Sequence, residues 1–253
     1  MRLKKEYITI IFVIVVGLWM YLFCVWEGIL WIDDPIKRKY PVKGIDVSHY
    51  QGDIDWREVE EKMNITFAFI KATEGSSHVD EMFSKNWKEA AETNIYIGAY
   101  HFFSFDSSGK EQAEHFIKTV KPVEDMLPPV VDVEYYGDKE NNPPPIADVR
   151  EHLDDFLYKL EDYYGCKPII YSTLSVYEKY INEYYNAYPI WIRNTYFRPF
   201  LLKNRQWTFW QYSAKGEWPY GTEEEQFVDK NVFAGSKEAF LRYFGYSSEG
   251  KEK

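Results

Sequence analysis

Two carboxylates stand two positions apart at the end of an apolar run, Val130-Val131-Asp132-Val133-Glu134. In a strand, the period of two puts Asp132 and Glu134 on one face. Like charges that close oppose each other's ionisation, so one carboxyl can keep its proton near neutral pH while the other stays charged. Hydrolysis of a glycosidic bond needs such a pair: an acid to protonate the leaving oxygen and a carboxylate to stabilise the sugar. Asp46 in Gly44-Ile45-Asp46-Val47-Ser48 and Asp229 in Phe227-Val228-Asp229-Lys230-Asn231-Val232 repeat the arrangement. An aspartate buried among apolar neighbours costs energy unless it is paired or used. A solvated strand end would account for one such acid more readily than for three.

Positioning them at one place requires a sheet. Apolar runs of strand length occur at 44–48, 66–72, 96–103, 130–134, 168–172, 189–193, 208–212 and 226–232. Helical spacing is clearest in three segments between them. Phe83, Trp87, Ala90 and Ala91 form the first, and Ala113, Phe116, Ile117 and Val120 the second, after the capping pattern Ser108-Gly109-Lys110-Glu111. The third runs from Ile146 through Val149, Leu153, Phe156, Leu157 and Leu160 to Tyr164, and Gly165 ends it. Alternating strands and helices imply a parallel sheet. The expected fold is therefore α/β, an irregular (β/α) barrel of eight strands, irregular late because the last strands leave little room for helices. Chemistry in such a barrel sits where strands end and βα loops begin.

The 253 residues suffice for one such domain, and the net charge of −10 argues against gripping nucleic acid through its phosphates. Residues 1–43 are basic on balance, so the acidity belongs to residues 44–253. Tyr7 to Trp26 contains no charged residue and matches the roughly 20 apolar residues that cross a hydrocarbon core of ~30 Å. Arg2, Lys4 and Lys5 precede it, which places the N-terminus in the cytoplasm by the positive-inside rule. A cleaved signal peptide is the rival reading, but no small-residue cleavage site comes after the apolar stretch. The expected organisation is a cytoplasmic end at 1–6, a transmembrane helix at 7–26 contacting the lipid bilayer, a tether at 27–43 and an extracellular barrel domain at 44–253. Cys24 falls in the membrane segment and Cys166 stands alone in the rest, so no intrachain disulfide is expected. Cys166, in a turn before an apolar run, reads as a small buried residue.

Several ordered blocks carry a resemblance: GIDVSHYQGDIDW at 44–56, FAFIKATEG at 67–75, IGAYHFF at 97–103, the Asp-Val-Glu at 132–134, PIIYST at 168–173, IWIRNT at 190–195 and FWQYSAKG at 209–216. Together they resemble glycoside hydrolase family 25, lysozymes that act as N-acetylmuramidases on peptidoglycan. The resemblance implies an eight-stranded irregular barrel that cleaves the β-1,4 bond between N-acetylmuramic acid and N-acetylglucosamine. It implies Glu134 as general acid, Asp132 as the partner that assists the 2-acetamido group or the charge at the anomeric carbon, and Asp46 and Asp229 as further site aspartates. The approach to Asp229 departs from the family's glycine-rich turn, because this chain has EWPYGTEEEQ at 217–226. Tyr50, Tyr100, Tyr136, Tyr171, Trp191 and Tyr212 lie in or beside the blocks and are candidates for sugar contact. Lys71, His101 and Gln211 are candidates for sugar hydroxyls or the acetamido group, and Arg193 for a lactyl or peptide-stem carboxylate.

Other readings stay open on these residues alone. Retaining, substrate-assisted and inverting routes are all compatible with the motif. A chitinase-like barrel would want an acid at 130, where the chain has Val. Metal-dependent polysaccharide deacetylation would use His49 and His101, but no histidines are paired at metal-ligand spacing, so neither a metal nor a cofactor is expected. A non-catalytic wall-binding barrel would have no need of a raised-pKa acid beside Asp46 and Asp132.

Overall fold

The computed structural model describes residues 2–26, 39–201, 205–220 and 227–247. Nine strands form one sheet: β1 (Lys43–Val47), β2 (Phe67–Glu74), β3 (His78–Val79), β4 (Tyr96–Phe102), β5 (Val130–Val133), β6 (Ile169–Thr173), β7 (Ile190–Arg193), β8 (Phe209–Glu217) and β9 (Phe227–Phe233). β1 pairs with both β9 and β2, which closes eight of them into a barrel and leaves β3 as an appendage on β2. The expected eight strands are all present, and each starts within one residue of its expected position.

The late irregularity has a specific form. β9 runs antiparallel to both β8 and β1, whereas the other barrel pairs are parallel. A strand that returns by a hairpin needs no crossover helix, which is how the barrel closes with so few residues after β8. Asp229 therefore enters the mouth near the beginning of its strand rather than the end.

Helices α2 (Trp56–Met63), α3 (Phe83–Ala90), α4 (Gly109–Thr119) and α5 (Ile146–Tyr164) follow in order, with a short turn α6 (Leu174–Val176) after β6. Asp55 caps α2 by accepting from Arg57 and Glu58 N–H, and Ser108 caps α4 by accepting from Glu111 N–H, as its motif implied. Side chains alternate along the strands. Ala68, Ile70, Ile97, Val131, Ile170 and Ile192 face the helices, while Phe67, Phe69, Tyr96, Val130, Ile169 and Phe209 fill the barrel. Gly44 and Gly98 make room for those rings, since a Cβ at either would lie 2.4 Å from Phe67 or 2.7 Å from Phe69.

A last helix, α7 (Lys237–Phe244), lies beyond the segments whose periodicity stands out. Its Phe240 and Leu241 join the interior cluster, and Phe240 packs edge-on to Phe233 at 5.3 Å and Tyr96 at 5.4 Å. The aromatic plug and α7 account for much of the 19% aromatic content.

The helix α1 (Arg2–Trp26) contains a stretch, Lys5–Val25, long and apolar enough to cross a membrane, and its side chains from Tyr7 to Phe23 are exposed. Most of the expected tether, residues 27–38, lies outside the described residues, as does 221–226 of the acidic approach to Asp229. Cys166 is exposed rather than buried. Gly165 ends α5 in a left-handed conformation (φ 68°), and the turn it makes carries Cys166 on its outer side.

Candidate active site

Above the aromatic plug, the interior positions of the strands turn polar. Asp46, Lys71, Tyr100, Asp132, Glu134, Tyr171, Trp191, Arg193, Gln211 and Asp229 line one pocket of about 250 Å³, with Tyr50 at its rim. Each side chain points inward because it shares parity with an interior residue on its strand: Asp46 with Gly44, Lys71 with Phe69, Asp132 with Val130. The acids from three strands thus meet where the spacing predicts.

Asp46 sits at the centre of a buried hydrogen-bond network. Its Oδ2 accepts from Gln211 Nε2 at 2.9 Å and from Asn231 Nδ2 at 2.7 Å. Trp191 Nε1–H donates to Asn231 Oδ1 at 2.8 Å, and Tyr171 O–H donates to Gln211 Oε1 at 2.9 Å. An indole N–H can only donate, so Asn231 must turn its oxygen to Trp191 and its NH₂ to Asp46. The two aromatic residues therefore orient the two amides, and the amides hold Asp46 as an acceptor.

Asp46 and Asp229 face each other across the β1–β9 pairing. Burial raises both, and the proximity of Asp46 adds to the rise at Asp229, which reaches about 8. The amide donors favour charge on Asp46, and a hydrogen bond between the two acids favours the proton on Asp229. The pair therefore carries one negative charge at neutral pH, with the proton on Asp229.

Asp132 is buried, and its Oδ1 has no hydrogen-bond partner among the described residues. Burial, then the charges of Glu134 and Asp46, push its carboxyl well above the usual range. Glu134 is raised chiefly by burial, against the pull of Arg193, whose Nη1 lies 3.9 Å from Glu134 Oε2. Lys71 Nζ donates to Glu74 Oε2 at 2.8 Å and presents its charge to the same acids. Tyr100 and Tyr171 keep their phenolic protons because burial and the surrounding carboxylates raise both far above the ordinary value.

Three predicted contacts lie elsewhere. His101 is adjacent to Tyr100 and so faces the opposite side of β4, fully buried toward α4 and α5. Its Nε2 meets Gln112 Oε1 at 3.0 Å and its Nδ1 meets Thr73 Oγ1 at 2.7 Å, so the proton is on Nε2 and Nδ1 accepts from the threonine. Burial lowers its pKa to about 3, and it remains neutral. Tyr212, next to Gln211, packs on the outer face of β8 against Trp210. Tyr136 stacks on Phe105, and its hydroxyl binds Phe105 N–H and Asp106 outside the pocket. Conversely, Asn231 and Phe102 belong to the site region and lie outside the predicted set. Both stand two residues from a predicted site residue, Asp229 and Tyr100, so period-two reasoning carried one step further finds them.

No group of three or more His, Cys, Asp or Glu among the described residues is arranged to hold a metal ion. A closed α/β barrel with buried, charge-coupled carboxyls at one mouth defines a barrel glycoside hydrolase. The sequence matches the model of glycosyl hydrolases family 25 over residues 45–220, and the chain belongs to that family. Among solved structures it is similar to a family 25 glycosyl hydrolase from Bacillus anthracis, with 48% identity and a TM-score of 0.78 over 85% of this chain and 96% of that one. It is also 38% identical to the uncharacterized protein YegX of Escherichia coli (strain K12), over 80% of this chain and 73% of the relative. Lysozyme M1 of Streptomyces globisporus is 32% identical over 79% of this chain and 70% of its own length.

Proposed function

We propose that this chain is a peptidoglycan muramidase that hydrolyses the β-1,4 bond between N-acetylmuramic acid and N-acetylglucosamine. Family membership and the relative named a lysozyme support the substrate class. The observation that carries the mechanism is the unpartnered, buried Asp132 Oδ1 beside Glu134. A buried carboxyl oxygen without a partner is costly unless a ligand supplies one.

Glu134 is the general acid. Burial keeps it protonated when substrate arrives, and it donates that proton to the glycosidic oxygen. The guanidinium of Arg193, 3.9 Å away, then stabilises the carboxylate left behind. While Glu134 holds its proton, Asp132 is relieved of its nearest like charge and can serve as an acceptor. It accepts the N–H of the 2-acetamido group and turns the acetamido carbonyl oxygen toward the anomeric carbon, the substrate-assisted route. The charge of the Asp46–Asp229 pair lies where positive charge develops on the sugar. A barrel that only bound wall glycan would gain nothing from carboxyls held above their usual range.

The helix α1 anchors the barrel domain on the wall side of the membrane with the N-terminus inside, supported by its apolar length and by Arg2, Lys4 and Lys5. Purified peptidoglycan treated with the full chain in detergent should yield fragments with reducing-end muramic acid. Glu134→Gln should lose at least about a hundredfold in rate, because general acid catalysis typically contributes about 10²–10⁴. Equal rates, or reducing-end glucosamine, would overturn the assignment of Glu134 or of the bond cut.

A further inference from the structure

A second hollow of about 370 Å³ adjoins the catalytic pocket. Arg193 lines both, and beyond it the hollow is formed by Thr173, Leu174, Asn194, Tyr196 and Phe197. Tyr196 is 42% exposed and Phe197 47%, and such aromatic surface next to an active site is costly to leave in water.

The loop that carries them is held firmly. Asn194 is buried, and its Oδ1 accepts from Tyr196 N–H at 3.1 Å and Phe197 N–H at 3.3 Å. Its own N–H donates to Gln211 O at 3.1 Å, and its carbonyl accepts from Trp210 Nε1–H at 2.7 Å. One asparagine therefore ties two exposed rings to β8, and β8 also supplies Gln211 to the catalytic network. Rings fixed in advance lose little conformational entropy when a ligand arrives.

The chemistry of the hollow identifies its occupant. Apart from Arg193, which faces Glu134, its lining presents no charged side chain among the described residues, and its exposed area is largely aromatic and aliphatic. A peptide stem carrying carboxylates would find no second cation in that lining. A sugar ring, with an apolar face and a polar edge, suits Tyr196 and Phe197. Its position also fits a polymer. Tyr50 follows β1 and Tyr196 follows β7, which β8 and β9 separate on one side of the ring and β2, β4, β5 and β6 on the other. A chain entering over Tyr50 and crossing the acids at the mouth leaves past Arg193 onto Tyr196 and Phe197.

We propose that Tyr196 and Phe197 form a glycan subsite, separate from the catalytic pocket, that holds a sugar of the same strand beyond the scissile bond and makes the enzyme prefer long glycans. The inference rests on the muramidase reading. The test compares full-length wild type with Tyr196→Ala/Phe197→Ala on peptidoglycan tetrasaccharide and on longer oligosaccharides, each with and without peptide stems.

Cleavage of the tetrasaccharide by wild type checks the muramidase reading itself. The subsite predicts that wild-type kcat/KM rises with chain length, and that the double variant loses about tenfold on the long substrate while staying within about threefold on the tetrasaccharide. The same loss should appear on stem-free glycan, and Tyr196→Phe/Phe197→Tyr should restore it. A loss confined to stemmed substrates would mean that the loop binds peptide and would overturn the proposal, as would equal losses at every length. If the alanine variant fails to fold, Phe197→Leu with the same substrates decides between the same outcomes.

Discussion

Replacing Asp229 by Asn separates a proton donor from a charge. In the native site Asp229 has a pKa of about 8, so about 1% of it is ionised at pH 6 and about 90% at pH 9. An asparagine is neutral at both and keeps a hydrogen-bond donor toward Asp46. Activity of Asp229→Asn at pH 6 should therefore stay within about tenfold of wild type. Above pH 8 the wild type should decline as a second charge appears beside Asp46, while the variant holds its rate. Stability should move the same way. The unfolded chain releases the Asp229 proton above about 3.8, but the fold retains it to about 8, so wild-type stability falls as pH rises between those values. At pH 7 that interval is roughly three units, and at about 1.36 kcal/mol each the native state forgoes about 4 kcal/mol. The variant escapes this cost but must seat an amide among the same partners, so we expect a gain of about 2 kcal/mol, or about 4–8 °C in Tm. The assays are turbidity clearing of peptidoglycan from pH 4 to 9 and thermal unfolding of the barrel by circular dichroism. A loss of more than a hundredfold at pH 6 with no change in the alkaline limb would show that Asp229 works as a carboxylate and would refute the reasoning.

Trp191→Phe leaves Asn231 Oδ1 buried without its donor, which should cost about 1–3 kcal/mol in unfolding free energy. It also frees the amide to turn its oxygen toward Asp46, so the acid limb of the kcat/KM profile should shift to higher pH; an unchanged profile would mean that Trp191 does not orient the network. His101→Ala should lower Tm by about 4–16 °C through the lost Thr73 and Gln112 hydrogen bonds and the cavity against Phe156, at unaltered KM. A raised KM at unchanged Tm would return His101 to the substrate. For the anchor, protease added to intact, wall-stripped cells should digest the barrel and leave a membrane fragment shorter than about 45 residues; full protection would refute the orientation.

The order of strands and the identity of the acids were legible because they depend on local pattern. Asp132 and Glu134 share a face by parity, and apolar flanks at Asp46 and Asp229 mark strands that must be buried on both sides. That same double burial misplaces other residues. In a barrel whose strands are covered inside and out, alternation separates two faces without saying which is the interior. Polar side chains at His101 and Tyr212 suggest the mouth, yet Tyr100 and Gln211 beside them occupy it, and neighbours on a strand cannot share a face.

The remaining features depended on closure. Asp229 meets Asp46 only because β9 turns antiparallel and pairs with β1, a contact between residues far apart in the chain. Asn231 takes its orientation from Trp191 on a third strand, and Phe240 of α7 finds its place only when the barrel end it plugs exists. Local sequence determined which residues could be acids and on which face of a strand they lie. The tertiary structure decided which acid keeps the proton, because that depends on burial and on donors that only the closed barrel brings within reach.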